Sequence, residues 1–326
     1  MLMLALTLVG CGPDQRGGGN HPDGGGGGST LTSIDVAPPS VSLTTTGGGA
    51  AATQQFTATG HFADGHTEDL STLVAWSVSD PGIGSVTSGA FTGAATRGGV
   101  AKVLAGQGSV SGSADLTIKY VAARVSTDDG STAPAGSAGL FANGTDDPTL
   151  APPLAYPLDG ALVPHNLGLL EVQWKKPAGA ADLFEVSLTA PTLDYRVYTN
   201  APNANGGRLS LTPAEWSSIS DTVGTGAVAI KVRGVVTAAP GKVGSSAVVN
   251  LSIGAASVSG GIYYWSPTGA GSNATIMRHS FGDTSGTATP FYAPTNTGGT
   301  TQRCVGCHVI THDGTKMAVT YDGGNG

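Results

Sequence analysis

The sequence predicts an all-β chain, built mainly of antiparallel sandwiches in tandem. Three observations carry that reading. Glycine is abundant, at 52 of 326 residues, while charged residues make up 11% and aromatic residues 6%; such a composition favours short strands and turns over helices. No long stretch keeps a 3.6-residue apolar period. Short runs of alternating apolar and polar residues recur instead, separated by turns rich in Gly, Pro, Asn and Asp. The length leaves room for two or three domains. The net charge is -7, with no cluster of Lys and Arg along the chain. That argues against nucleic acid as a partner, because phosphate binding needs concentrated positive charge.

Residues 1–11 open with "MLMLALTLVG", apolar and uncharged. The stretch is too short to span a bilayer as a helix, but it suits the apolar core of an export signal. Leu8-Val9-Gly10-Cys11 resembles the lipobox of bacterial lipoproteins. That resemblance implies cleavage before Cys11 and a diacylglycerol on its thiol. Cys11 is then the lipidation site, and the membrane is a partner reached through a lipid anchor, without a spanning helix. The expected localisation is the bacterial cell envelope, at the outer membrane or its periplasmic face. No Lys or Arg opens the stretch, so the start codon is expected upstream. Residues 12–30, "GPDQRGGGNHPDGGGGGST", cannot build a core and read as a flexible tether; His21 within it is expected to be solvated.

Residues 31–120 change character. "LTSIDVAPPSVSLTTTG" alternates around a Pro-Pro break, and "QQFTATGHFADGHTEDLS" gives a strand, a turn and a polar loop. A Trp-bearing strand follows in "LVAWSVSDPGIGSV", then two more strands in "GVAKVLAGQGSVSGSADLTIKY". Strands at this spacing predict an antiparallel sandwich, with Phe56, Trp76, Val86 and Ile118 as core candidates. The order Ile34, Val36, Pro38-Pro39, Gln55-Phe56-Thr57-Ala58, Asp64-Gly65, Ala75-Trp76-Ser77-Val78-Ser79-Asp80-Pro81, Ser85-Val86, Gly98 and Leu116-Thr117-Ile118 resembles the bacterial immunoglobulin-like group 2 domain. The resemblance implies a spacer or adhesive module without shared catalytic residues. His61, His66, Glu68 and Asp69 crowd one loop and read as solvated.

Residues 121–150 are dominated by small residues, turn formers and acids, and read as an irregular linker with one strand. Asp128, Asp129, Asp146 and Asp147 lack the spacing of an EF-hand and read as solvated. Residues 151–254 form a second strand-rich unit, with Trp174 ending one strand and Tyr195 and Tyr198 expected in the core or half-buried. "LTPAEWSSIS" predicts one helical turn, with Thr212 as N-cap and Pro213 at the first position. Trp174 and "YRVYT" loosely resemble fibronectin type III sandwiches, which implies another spacer or binding module.

Residues 255–326 contain "GGIYYWS" and "ATIMRHSF", read as hairpin partners, and "HVITHDGTKMAVTYDGG", read as strand, turn, strand. The His-Asp-Gly-Thr-Lys turn before "MAVTY" resembles the blade repeat of TolB-like propellers. The fold expected overall is therefore tandem immunoglobulin-like sandwiches followed by a partial propeller-like β-sheet unit. A propeller needs several blades, so the chain is expected to be a fragment.

Two of the three cysteines fall in Cys304-Val305-Gly306-Cys307-His308. Thiols at this offset can form thioethers with the two vinyl groups of haem, and the following histidine can place an imidazole on the iron. The pattern resembles a c-type haem attachment motif, which implies covalent haem c held by Cys304 and Cys307 with His308 as an axial ligand. Met317 and His279 rank first for the second axial position, ahead of Met277 and His312. A small disulfide and half a zinc site stay open, because the surrounding segment reads as strands where cytochrome c domains are helical. No G-x-S-x-G, H-E-x-x-H or P-loop is present, so no catalytic residue is assigned. The function expected is an exported surface spacer or binding lipoprotein, with a surface protein or a carbohydrate as ligand. The alternative is an extracytoplasmic haem protein that passes electrons to a redox partner, with the sandwiches as its stalk.

Overall fold

A computed structural model describes residues 29–200, 206–268, 273–283, 287–292 and 305–321. The protein is all-β, with its sheets packed as sandwiches. Cys11, its lipobox, residues 12–28 of the Gly-rich tether with His21, and Cys304 lie outside the described residues.

In the first sandwich, strand Leu31–Ala37 pairs antiparallel with Thr57–Phe62, which pairs with Thr67–Asp69. The Pro38-Pro39 break then lets the chain change sheets, since proline cannot continue a ladder. Strand Ser40–Thr46 joins the opposite layer beside Val110–Val125, Gly99–Gln107 and Ala75–Val78. The small sheet Thr53–Gln55, Ala90–Gly93 and Gly84–Thr87 closes the side. Alternation sends Ile34 and Val36, Ala101, Val103 and Ala105, and Ala114, Leu116 and Ile118 into one core, as the two-residue period of a strand requires. Phe56 and Ile118 are fully buried, whereas Trp76 and Val86 pack against the core from its margin.

Strand Val110–Val125 does not stop where the first sandwich ends. Its first half pairs with Gly99–Gln107 up to the Ile118–Gly99 pair, and strand Leu193–Thr199 takes over the same edge from the Tyr120–Leu193 pair onward. At 16 residues it extends roughly 50 Å. One strand is thus shared by both sandwiches. The changeover is tightly packed. The Tyr120 amide donates to the Thr192 carbonyl at 2.8 Å, and the Gly98 amide to the Thr222 hydroxyl at 3.0 Å. A Cβ on Gly98 would sit 2.5 Å from the Ile118 carbonyl oxygen and 2.8 Å from the Tyr120 nitrogen, so only glycine fits.

In the second sandwich one layer runs Leu193–Thr199, Leu183–Ala190 and Ala227–Val235, flanked by Lys242–Ser245 and Val249–Gly254. The other layer is Leu154–Tyr156, Glu171–Lys175 and Gly206–Ser210. Trp174, Val186, Leu188, Tyr195, Val197, Leu209, Val228 and Ile230 fill the space between them. Gly207 faces Trp174 across the ladder, and a Cβ there would lie 2.3 Å from the indole ring.

The expected single helical turn is an 11-residue helix, Pro213–Val223. Thr212 and Glu215 form a reciprocal capping box at its start. The helix continues because Trp216, Ile219 and Val223 recur at helical spacing and close one end of the core. The Trp216 indole donates to the His165 carbonyl at 3.0 Å.

Of residues 121–150, expected as an irregular linker with one strand, 121–125 belong to the shared strand and 126–150 are tied down over the outer face of this sandwich. Phe141 packs with Leu183, Tyr198, Val235 and Val243 in a separate cluster, and Leu150 is buried as well. The Ser126 amide donates to the Tyr198 carbonyl at 2.8 Å, and Thr145–Asp146 pairs with Lys242–Ser245.

Arg124, near the end of the shared strand, binds Glu215 and, at 3.1 Å, Asp128. The Tyr195 hydroxyl also donates to Glu215. Burial alone would raise the Glu215 carboxyl; hydrogen bonds from Arg124, Tyr195 and the Thr212 amide outweigh it and hold the group below its ordinary 4.5.

Two outcomes follow from this junction. Gly98→Val should cost about 1–3 kcal/mol through overpacking, read from urea midpoints, while Gly139→Ala, with open space around it, should stay within about 0.5 kcal/mol. Glu215→Gln keeps the capping geometry but removes the charge, and should cost about 1–3 kcal/mol at neutral pH. A depressed carboxyl contributes stability that is present above its unfolded pKa and lost as pH falls through the folded one. The gap between parent and variant should therefore narrow as pH falls below the ordinary 4.5 of this carboxyl, and a gap that acidification leaves unchanged would contradict the charge pairing.

Candidate functional site

The C-terminal strands carry the motif. Gly261–Thr268 and Asn273–Ser280 form the expected hairpin, and Thr289–Tyr292 adds a third strand. Val305–Ile310 and Met317–Tyr321 form the second expected pair. The turn between them is fixed by Asp313, which accepts from the Thr311 hydroxyl and, at 3.0 Å, from the Thr315 amide. The Thr311 hydroxyl first, then the Thr315 amide and hydroxyl, pull the Asp313 carboxyl down to about 2. His312 is exposed at this turn.

Cys307 lies on the strand Val305–Ile310. His308, next to it, is half-buried, and its Nε2 lies 3.1 Å from the Tyr263 carbonyl oxygen. A carbonyl only accepts, so Nε2 is the donor and carries the proton. Iron ligation through Nε2 would require this bond to break. His308 pairs with Val319 and Ile310 with Met317, so Met317 is a diagonal neighbour on the same sheet face. His279 pairs with Ile262 and lines a cleft of about 330 Å³ with Leu167, Leu169, Tyr264 and Phe281. Met277 pairs with Tyr264 on the same face. The described residues thus bring His308 and Met317 onto one face and place His279 in a cleft against Leu167 and Leu169.

Among the described residues, no three His, Cys, Asp or Glu side chains come close enough to hold a metal ion. His61 pairs with Asp35 at 2.9 Å, while His66 binds Asp64 and stacks on Phe62. Asp128 is engaged by Arg124, and Asp147 caps a short turn and meets Lys242 at 3.4 Å. Neither group converges on a cation.

A polar cleft that sequence reasoning did not single out opens on the outer face of the second sandwich, around Glu185, Ser187, Arg196, Lys231 and Arg233. These five residues come from three strands, and only the register brings them together. Another cleft, of about 650 Å³, lies where the sandwiches meet, beside Arg97 and Asp80, paired at 2.6 Å.

No family model and no curated protein matches the chain. Among solved structures it is similar to a tandem of titin immunoglobulin domains, with 10% identity, a TM-score of 0.23, and coverage of 69% of this chain and 98% of that one. It is also similar to a 1.5-MDa bacterial ice-binding adhesin, at 11% identity and a TM-score of 0.23, covering 77% and 76%. Sidekick-1 immunoglobulin domains 1–4 give 10% identity and a TM-score of 0.21, covering 76% and 59%. At these scores the likenesses carry no argument about this chain.

The motif makes one prediction about its own chemistry. In a bacterium with active c-type haem maturation, a haem-bearing chain should give a peroxidase-staining band on a denaturing gel, lost in Cys304→Ala/Cys307→Ala. No band, with a control cytochrome loaded normally, would remove the haem reading and leave the disulfide and the half zinc site as the alternatives for Cys304 and Cys307.

Proposed function

We propose that this chain is an exported cell-envelope lipoprotein that acts as a surface spacer or binding protein. The observation that carries the reading is the strand Val110–Val125, which pairs with Gly99–Gln107 in one sandwich and with Leu193–Thr199 in the next. A joint made of shared ladder hydrogen bonds holds two modules at a fixed angle, which suits a stalk. The N-terminal sandwich carries the sequence features of the bacterial immunoglobulin-like group 2 domain. The sandwich after it is similar to fibronectin type III domains, and the last strands resemble the start of a TolB-like propeller. The lipobox ending at Cys11 and the Gly-rich tether behind it supply the anchor and the stand-off from the membrane. A surface protein or a carbohydrate is the ligand class that suits such a module.

The Cys304-x-x-Cys307-His308 motif favours a second reading, an extracytoplasmic c-type haem protein passing electrons to a redox partner. Haem would then be covalent, and the sandwiches would form its stalk. The Nε2 bond of His308 to Tyr263 counts against this reading in the arrangement described.

Cys11→Ser decides the anchor. The parent, expressed in a bacterium with lipoprotein processing, should take up an alkyne-tagged fatty acid and sediment with membranes; the variant should do neither. Equal labelling of both would remove the lipoprotein reading.

A further inference from the structure

The outer face of the second sandwich carries three adjoining cross-strand rows. One is Tyr198, Glu185, Arg233 and Ser245; the next is Arg196, Ser187 and Lys231; the third begins Asp194, Thr189 and Ala229. The segment around Phe141 covers the first row in part, and the second row is left open as the floor of a cleft of about 410 Å³. That volume lies in the range of small-ligand sites, about 300–1,000 Å³.

The charges in this cleft are unequal. Glu185 is 2% exposed and already neutralised. Arg233 meets it at 2.7 Å and Arg196 at 3.4 Å. Arg233 is fixed further by the Phe141 carbonyl at 3.1 Å and by that ring, 5.2 Å beneath its guanidinium. Arg196 grips Asp194 through two nitrogens, at 2.8 and 3.1 Å. Lys231 is half-buried beside them and, among the described residues, makes no ion pair or side-chain hydrogen bond. Three of the chain's 15 Lys and Arg residues thus line one cleft of an acidic protein and leave one positive charge in excess. The surrounding groups are hydroxyls, Ser187, Thr189 and Ser245, with only Ala229 and Val248 apolar.

We propose that this cleft binds an oxyanion on a small hydroxylated ligand: the carboxylate of an acidic sugar or the phosphate of a sugar phosphate. Lys231 supplies the charge, because a half-buried ammonium without a counter-ion gains from an anion brought to it. Arg196 and Arg233, held in place by Glu185, Asp194 and Phe141, line the approach without needing to reorganise. The hydroxyls of Ser187 and Thr189 sit on the floor, where sugar hydroxyls would meet them. The site stands independently of the lipid anchor, so its failure would leave the spacer reading untouched.

Amide shifts of the full chain, followed by NMR at low salt during titration with inorganic phosphate, glucuronate or glucose, test this. Saturable shifts at Ser187, Thr189 and Lys231 with an anion, and none with neutral glucose, are expected. Glucuronate alone would assign an acidic sugar, and phosphate alone a phosphate ester. Lys231→Met, with an otherwise unchanged spectrum, should weaken binding by roughly tenfold or more, and Lys231→Arg should retain it. Absence of shifts with both anions, equal shifts with glucose, or undiminished binding in Lys231→Met would overturn the proposal.

Discussion

The ladder on either side of Ile118–Tyr120 is the constraint on which the rest of the molecule depends. There the edge of strand Val110–Val125 passes from Gly99 to Leu193, from one sandwich to the next. Two sandwiches joined by a free linker would sample many orientations, since interfaces between domains of one chain are ordinarily small and polar. A continuous strand removes that freedom, because bending it would break backbone hydrogen bonds in both sheets. Gly98 and Thr222 close the gap beside the strand, and Arg124, Glu215 and Tyr195 lock its far end to the helix Pro213–Val223.

The polar groups buried in the second sandwich follow one pattern. Glu185 is met by Arg233 and Arg196 and Glu215 by Arg124, each from a neighbouring strand and each with a tyrosine alongside. Burying a carboxylate is costly unless it is paired and hydrogen-bonded, and both are. Tyr198, beside Glu185, is pushed up to about 12 by burial and by that carboxylate, so it stays neutral at any ordinary pH. Segment 126–150 contributes through the same network: its Phe141 carbonyl and ring hold Arg233, and Arg233 holds Glu185. A stretch of mostly small residues thereby becomes part of the sheet's cover.

Much of this was legible in the sequence. Alternation identified the strands of both sandwiches, and Phe56 and Ile118 are as deeply buried as their positions implied. The Thr212-Pro213 start of the helix was also readable. Its length was obscured by Ser217, Ser218, Ser220, Asp221 and Thr222, poor helix formers that hide the spacing of Trp216, Ile219 and Val223. The shared strand left a signal as well, since apolar and polar residues still alternate in part from Ile118 through Val125. The role of 126–150 was hidden because only Leu140, Phe141 and Leu150 in it are large apolar residues able to anchor it. The cleft around Lys231 had no local signature at all: Glu185, Arg196 and Lys231 become neighbours only through the register of three strands. At the C-terminus the hairpins were readable, but the motif fixes neither which way the His308 ring nitrogens face nor which sheet face Met317 shares.

The rigid joint is tested most directly by residual dipolar couplings measured on the full chain in a weakly aligning medium. Couplings from residues 31–117 and from residues 151–254 should fit one alignment tensor, with the same magnitude and orientation, when both are placed in the frame described. Two tensors of different magnitude would show the sandwiches moving independently, and the strand Val110–Val125 would then not be the continuous beam that holds them.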